Sequence, residues 1–241
     1  MANKFAFALP MLGFAVGLST IAQASSPLIA VDVGHSLRSS GATSARGKAE
    51  FEFNRELAKV IWESINTLGG KAIEIGADGN SVDPETRPQE AASRSAKFFL
   101  SVHHDSVQPQ YLEEWTWEGG TQHYTDRYAG FSLFVSRKNK DVATSLRCAS
   151  AIGENLRQAG FKPSAHHAEP IEGENRAWAD QANGVYYYDN LIVLKNAKMP
   201  AVLLESGVIV NRDEEKRMQD PAIRTKIAAA VFLGLNQCGM R

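Results

Sequence analysis

The sequence contains little cysteine: Cys148 and Cys238 are two residues among 241. Their wide separation forms no Cys-x-x-Cys pair, which argues against a cysteine-based zinc site or a thiol redox motif. In an exported protein the two thiols could form a disulfide, because such bonds persist in oxidising compartments. The sequence alone leaves that pairing open.

An excess of charge of one sign is also absent. Lysine and arginine total 26 and aspartate and glutamate total 27, which gives a net charge of -1, and there is no long Lys/Arg run. Binding to nucleic acid or to an anionic membrane surface draws on a positive field that this chain lacks. We therefore expect neither nucleic acid nor, once the N-terminal leader is removed, a membrane among its partners.

Long apolar runs are absent except at the N-terminus. There, Lys4 precedes an apolar run over residues 5–21, and Ala22-Gln23-Ala24 gives a small-x-small cleavage pattern. No later stretch reaches the roughly twenty apolar residues that a membrane span needs. We interpret residues 1–24 as a cleaved signal peptide and residues 25–241 as one domain, and we expect a periplasmic or secreted protein.

The rest of the chain alternates between strand-like and helix-like patterns. At 44% hydrophobic and 22% charged residues it is typical of a globular domain. This alternation predicts a single α/β domain with a mainly parallel twisted sheet and helices on both faces. The predicted strands are residues 28–33, 71–75, 98–102, 131–135, 191–194 and 201–204, and the predicted helices are residues 50–68, 85–96, 141–156 and one that begins at Asp220-Pro221.

Two polar or aromatic stretches fall outside this alternation. Residues 162–189 are irregular, so we expect an excursion from the sheet with His166 and His167 in a solvated loop. Gly119-Gly120 lies in a predicted long loop rich in aromatic residues. Those aromatic side chains could stack on sugar rings or pack their own loop; they are Trp115, Trp117, Tyr124 and Tyr128.

Three chemically competent side chains stand where apolar strands end. His35, His103 and Glu205 each follow a predicted strand, and parallel strands bring their carboxyl ends to one crevice. His104 alternates away from His103, which favours a packing or supporting role.

A further carboxylate comes from the first predicted helix. Glu50 shares the inward stripe of Phe53 and Leu57, whereas Glu52 belongs to the polar stripe, so Glu50 is the inward one. Two imidazoles and a carboxylate form a known catalytic zinc set. Hydrolysis also needs a group that exchanges protons with water and the leaving amine, and Glu205 is the candidate.

Four short motifs occur in order along the chain. They are residues 31–35 (Val-Asp-Val-Gly-His), Glu50, residues 101–105 (Ser-Val-His-His-Asp) and residues 200–207 (Pro-Ala-Val-Leu-Leu-Glu-Ser-Gly) through Asn211. Together with Arg87 and Leu194, this pattern resembles the zinc-dependent N-acetylmuramoyl-L-alanine amidases of type 3. The resemblance implies a phosphorylase/hydrolase-like fold and hydrolysis of the amide between muramic acid and L-alanine in peptidoglycan. It also implies that His35, Glu50 and His103 bind Zn²⁺ and that Glu205 is catalytic.

Other interpretations remain open at this point. The chain could be another zinc peptidoglycan peptidase, although fourteen residues separate His35 from Glu50 where a His-x-x-Glu ligand pair has two. It could also be a peptidoglycan-binding module without activity. The expected partner is peptidoglycan or a muropeptide. Some amidases that the chain resembles carry a helix that blocks the zinc until an activator protein removes it, and residues 164–184 are long enough for such a lid.

Overall fold

The computed structural model describes residues 1, 2 and 26–240. The predicted signal peptide therefore falls almost entirely outside the described residues, and its cleavage stays a prediction. The described elements are β1 (Leu28–Val33), α1 (Glu50–Thr67), β2 (Lys71–Ile75), α2 (Thr86–Ser93), β3 (Phe98–Asp105), β4 (Glu113–Trp117), β5 (Gly120–Tyr124), β6 (Ser132–Val135), α3 (Val142–Gln158), β7 (Trp178–Asp180), β8 (Val185–Tyr187), α4 (Ile192–Lys195), β9 (Ala201–Val208), α5 (Arg212–Gln219) and α6 (Pro221–Gln237).

Seven of these strands form one sheet in the order β2-β1-β3-β9-β6-β8-β7. The pairs β2–β1, β1–β3, β3–β9 and β6–β8 are parallel, whereas β9–β6 and β8–β7 are antiparallel. The predicted mainly parallel α/β sheet is confirmed, with an antiparallel pairing between its two halves. The parallel block places the carboxyl ends of β1, β3 and β9 side by side, and Glu205 pairs directly with His103.

Helices cover both faces of the sheet, as predicted. On one face α1 and α3 pack on the sheet and α6 packs against both helices, with Leu57, Ile152 and Val231 fully buried. On the other face α2 and α4 contribute Ala91 and Leu194 to a second core cluster. No helix among residues 26–240 is long and apolar enough to cross a membrane.

The pairing of the cysteines, which the sequence left open, is resolved by the packing of α3 against α6. Cys148 in α3 and Cys238, which directly follows α6, form a disulfide with a Cα–Cα distance of 5.0 Å. Both residues are buried in the core on the α1 face. The bond closes a loop with a sequence separation of 90 residues, so it restricts a large part of the unfolded chain.

Two expectations about the sheet are wrong. Residues 192–194 begin α4, with Leu191 as its N-cap, rather than forming a strand, because a short apolar run fits a buried helical turn equally well. Residues 162–189 do not leave the sheet entirely, since β7 and β8 form its edge. These strands have three residues each, which is too short for a periodic signal.

The aromatic loop is also more regular than expected. It contains the β4–β5 hairpin, whose turn residues Glu118 and Gly119 both have positive φ, at 49° and 78°. Positive φ at both positions is what a tight hairpin turn with right-handed strand twist requires. The two aromatic residues of β4, Trp115 and Trp117, stack on each other with ring centroids 5.3 Å apart. The aromatic side chains of β4 therefore pack against each other within the hairpin, which is one of the two possibilities that the sequence left open.

Candidate metal centre and catalytic carboxylate

His35 sits in a constrained turn directly after β1. Its φ of 66° lies in the left-handed region, which non-glycine residues adopt only when their surroundings enforce it. Arg87 provides that enforcement: its guanidinium donates to the carbonyl oxygens of Val33 and His35 and lies 3.1 Å from Asp32 Oδ1. Asp32 in turn accepts a 2.6 Å hydrogen bond from Ser101 on β3. The His35 ring is thus positioned by a buried ion pair.

Glu50 lies between the two histidines. Its Oε2 is 3.0 Å from Nε2 of His35, and its Oε1 is 3.0 Å from Nδ1 of His103. Burial alone raises the pKa of Glu50, but its hydrogen bonds to His103 and His35 and its electrostatic interaction with both rings outweigh burial and lower the pKa below its usual range. The carboxylate is therefore ionised and directed at both rings, as the inward-stripe argument predicted.

A shell of hydrogen bonds fixes Glu50 and the second histidine motif. The backbone N–H of Ala42 donates to Glu50 Oε2 at 2.9 Å, and the Asn54 amide donates to Oε1 at 3.0 Å. Asn54 also pairs through its Oδ1 with Nδ1 of His104 at 2.8 Å. Burial lowers the pKa of His104 to about 3, so its ring is neutral. His104 thus supports Glu50 indirectly, through its contact with Asn54, and this supporting role is one of the two expected for it.

Two glycines make room for this cluster. A Cβ atom on Gly34 would lie 2.3 Å from the His103 ring, and one on Gly41 would lie 2.3 Å from Glu50 Oε2. Gly41 also has a φ of 78°, which disfavours any side chain. Both positions therefore require glycine for the three groups to approach one another.

Gly41→Ala is expected to weaken zinc binding at least ~10-fold, because the Glu50 carboxylate must move away from the histidines. Gly119→Ala is the matched control, since Gly119 has the same φ of 78° but no atom within 4 Å of an added Cβ. Competition with a chromogenic chelator measures the affinity, and thermal unfolding reports the strain common to both variants. Equal zinc affinity in the two variants would contradict this packing argument.

Glu205 lies in β9 beside His103. Its Oε2 atom is buried and has no hydrogen-bond partner among the described residues. Burial, with added repulsion from Asp105 and Glu50, raises the pKa of Glu205 well above its usual range. An unpaired buried carboxylate is costly unless a ligand completes its environment, and a raised pKa suits a group that accepts and returns a proton.

A cleft of about 390 Å³ opens onto His35 and His103. Its lining includes the apolar residues Val82, Leu191 and Ile192 and the polar residues Asn190 and Ser36. Mixed apolar and polar linings are typical of small-molecule and peptide sites.

The three converging groups fit a zinc ion. Their donor atoms all lie within 4.8 Å of one another, and each Glu50 oxygen is 3.0 Å from a histidine nitrogen. Tetrahedral zinc with bonds of about 2.0–2.1 Å separates neighbouring ligand atoms by roughly 3.3 Å. Two imidazole nitrogens and one carboxylate oxygen also form a donor set that zinc enzymes use.

Comparison with known proteins identifies the family of the chain. The profile of the family described as N-acetylmuramoyl-L-alanine amidase (Amidase_3) matches residues 29–237. The chain belongs to this family. Membership confirms the resemblance drawn from the four motifs, and the family is one of N-acetylmuramoyl-L-alanine amidases.

Individual relatives of this family member are distant. The amidase LytC of Bacillus subtilis is 24% identical over 209 residues, which cover 86% of this chain and 34% of LytC. The chain thus spans about a third of that relative. Ami1 from Mycobacterium smegmatis superposes with a TM-score of 0.69 at 18% identity, covering 90% of this chain and 99% of that one. The CwlD amidase from Clostridioides difficile, solved in complex with the GerS lipoprotein, gives 0.64 at 22% identity, covering 88% and 98%. The two structures show a common fold.

Several residues that build the His35–Glu50–His103 cluster, the candidate amidase centre, were not assigned roles from sequence. Arg87 donates to backbone carbonyl oxygens, and Asn54 donates from its side-chain amide. Gly41 leaves room for Glu50 because it has no side chain. Such contacts have no periodic signature in a sequence. His166 and His167 were expected in solvent but are 3% and 6% exposed. The clustering of two histidines with Glu169, Glu172 and Glu174 was the available signal that this segment is more than a solvated loop.

Proposed function

We propose that the protein hydrolyses the amide bond between N-acetylmuramic acid and L-alanine in peptidoglycan and depends on zinc. His35, Glu50 and His103 would hold the ion, and Glu205 would be the catalytic acid–base. The observation that carries this proposal is the convergence of three ligand-type atoms next to Glu205, whose buried Oε2 has no hydrogen-bond partner in residues 26–240. Family membership supports the same reaction.

Each residue has a defined task in this proposal. When bound, zinc would supply Lewis-acid chemistry for polarising the amide carbonyl and acidifying the attacking water. Glu205 takes a proton from that water and returns it to the departing L-alanine nitrogen, a shuttle for which its raised pKa is suited. Arg87 and Asn54 hold His35 and Glu50 in place so that their geometry does not change during the reaction.

The cleft beside His35 and His103 is the proposed position of the substrate. The apolar lining residues Leu191 and Ile192 suit the side chains of a stem peptide, and Asn190 and Ser36 offer polar contacts to the peptide backbone. The aromatic hairpin is a less suitable sugar platform, because Trp115 and Trp117 stack on each other and Arg46 lies over both rings.

Location and partners are extensions of this proposal. Peptidoglycan as the substrate requires a periplasmic or secreted protein, in agreement with the predicted signal peptide. An amidase of this fold is known in complex with a lipoprotein, which makes an activator protein a reasonable proposal here as well. Residues 164–184, the segment that could form a lid, make hydrogen bonds through two of their carboxylates. Glu169 accepts from the hydroxyls of Tyr111 and Tyr128. Glu174 Oε2 lies 2.8 Å from Nδ1 of His167.

Zinc removal tests the metal dependence. Chelation is expected to lower peptidoglycan hydrolysis on the order of 10²–10³-fold, since the ion contributes several kcal/mol of transition-state stabilisation. Stoichiometric Zn²⁺ should restore the rate, whereas Mg²⁺ should not, because the donor set contains two imidazoles. Hydrolysis that persists in metal-free protein would refute zinc dependence.

The binding-module interpretation makes a different prediction. A module without activity would bind isolated cell wall but release nothing from it, with or without zinc. Sedimentation with insoluble peptidoglycan measures the binding, and release of soluble peptide measures the hydrolysis. Binding without release by the zinc-loaded protein, in the presence of any activator, would favour the module.

A further inference from the structure

A second cluster of buried ligand-type side chains lies near the amidase centre. It contains Asp105 at the end of β3 and the adjacent His166 and His167. Asp105 Oδ2 is 3.2 Å from Nε2 of His166 and 2.8 Å from Nε2 of His167. The three residues are 8%, 3% and 6% exposed. Three donor atoms from two distant parts of the chain therefore converge in the interior.

The opposite atom of each donor is already occupied. Nδ1 of His166 lies 2.8 Å from the Ser164 hydroxyl, and Nδ1 of His167 lies 2.8 Å from Oε2 of Glu174. Asp105 Oδ1 accepts from the backbone N–H of Ser106 at 2.8 Å. Metal-binding histidines are oriented in this way, with one nitrogen on a carboxylate or hydroxyl and the other on the ion.

One atom of the cluster has no hydrogen-bond partner within the part of the chain that the structure describes. His166 Nε2 is buried and directed at Asp105 Oδ2, but the contact does not have hydrogen-bond geometry. A buried polar atom left unpaired costs about 1–3 kcal/mol. A single cation placed among the three donors would satisfy it and would replace the 2.8 Å hydrogen bond between His167 Nε2 and Asp105 Oδ2.

We propose that Asp105, His166 and His167 form a second divalent-metal site, which is suited to Zn²⁺. Two imidazole nitrogens and one carboxylate oxygen favour zinc over the harder cations Mg²⁺ and Ca²⁺. The site shares no residue with the His35–Glu50–His103 centre. An ion there would tie the turn at His166–Ala168 to the end of β3, next to Tyr186 and Phe134, on which the His167 ring packs.

A proton is the competing occupant. Burial alone lowers the pKa of His167, but Asp105 and Glu174 outweigh it and raise the pKa to about 9. The same two carboxylates favour any positive charge in this pocket, so direct measurement of bound metal must decide between the two occupants.

The test is the zinc content of the purified protein after loading with Zn²⁺ and removal of excess ion, measured by mass spectrometry against protein concentration. We expect two equivalents per chain. The double variant His166→Gln/His167→Gln should retain one equivalent, and His35→Gln/Glu50→Gln should also retain one. Glu174→Gln should weaken the second equivalent by ~10–100-fold, because it removes a carboxylate that orients His167.

His123→Gln is the matched control, since His123 lies on the hairpin with a side chain 56% exposed and belongs to neither cluster. It should retain both equivalents. The proposal would be wrong if the wild type held one equivalent of zinc and His35→Gln/Glu50→Gln held none. The occupant of the Asp105–His166–His167 pocket would then be a proton. This result does not depend on whether the His166/His167 variant folds. Two equivalents without amidase activity would leave the second site standing and refute the proposed function alone.

Discussion

Glu205→Gln is expected to lower the rate of peptidoglycan hydrolysis by about 10³-fold, within the range typical for loss of a general acid–base. The amide side chain has nearly the same shape but cannot accept a proton from water or deliver one to the leaving nitrogen. Zinc content and affinity for insoluble cell wall should stay unchanged, because Glu205 is not among the three converging ligand-type groups. The loss should therefore be in kcat rather than in binding.

Glu52→Gln is the matched control for this variant. Glu52 lies in the first turn of α1, two residues from Glu50, but it is exposed and points away from the centre. Its rate should equal that of the wild type. If Glu205→Gln retained more than about a tenth of wild-type activity, the carboxylate would contribute less than ~1.4 kcal/mol and would not be the catalytic group.

Replacing both cysteines, as Cys148→Ala/Cys238→Ala, is expected to lower the free energy of unfolding by about 4–5 kcal/mol, the chain-entropy value for a loop of this length. The physical cause lies in the unfolded state, which regains freedom across the 90-residue separation. Denaturant titration of wild type and variant, analysed at constant slope, measures the difference.

Chemical reduction of the wild type gives the control for side-chain size, since it opens the loop without changing any residue. Reduced wild type and the double variant should unfold at similar denaturant concentrations. Zinc content should be retained in both, because the disulfide lies in the core on the α1 face, whereas the metal centre lies at the carboxyl ends of β1 and β3. A difference below 1 kcal/mol would show that the pairing does not constrain the chain in solution.

The convergence of the candidate site residues could be predicted because the ends of apolar strands can be recognised in a sequence. His35, His103 and Glu205 follow apolar runs, and parallel pairing of β1, β3 and β9 brings such positions together whatever the rest of the fold does. Glu50 was predictable from helical periodicity alone. The actual strands extend further than predicted, since β3 and β9 continue past His103 and Glu205.

The errors came from segments whose structure is decided by tertiary contacts. The run at residues 191–194 has no periodicity to distinguish strand from helix, and it became α4 because it covers the sheet beside Phe99 and Leu203. His166 and His167 looked solvated since their neighbours are polar. Their burial depends on Asp105, which is 61 and 62 residues away in sequence, and no local pattern encodes such a contact.

Supporting residues were unpredictable for a related reason. Arg87 matched a motif of the family, but its contact with the carbonyl of His35 depends on the path of the turn after β1. The pairing of Cys148 with Cys238 likewise depends on the packing of α3 against α6, which the sequence does not specify. The sequence thus predicts which chemical groups form the candidate site, whereas the contacts that position those groups depend on the tertiary structure.

The most direct test of the proposed function is the chemical identity of the new ends that the zinc-loaded protein creates in purified peptidoglycan. Amino-terminal analysis and mass spectrometry of the released material should find stem peptides that begin with free L-alanine, together with glycan strands that keep the lactyl group on muramic acid. The same products should be absent with Glu205→Gln. Cleavage at another peptide bond of the stem, with no new L-alanine amino terminus, would contradict the assignment as an amidase and favour a zinc peptidase.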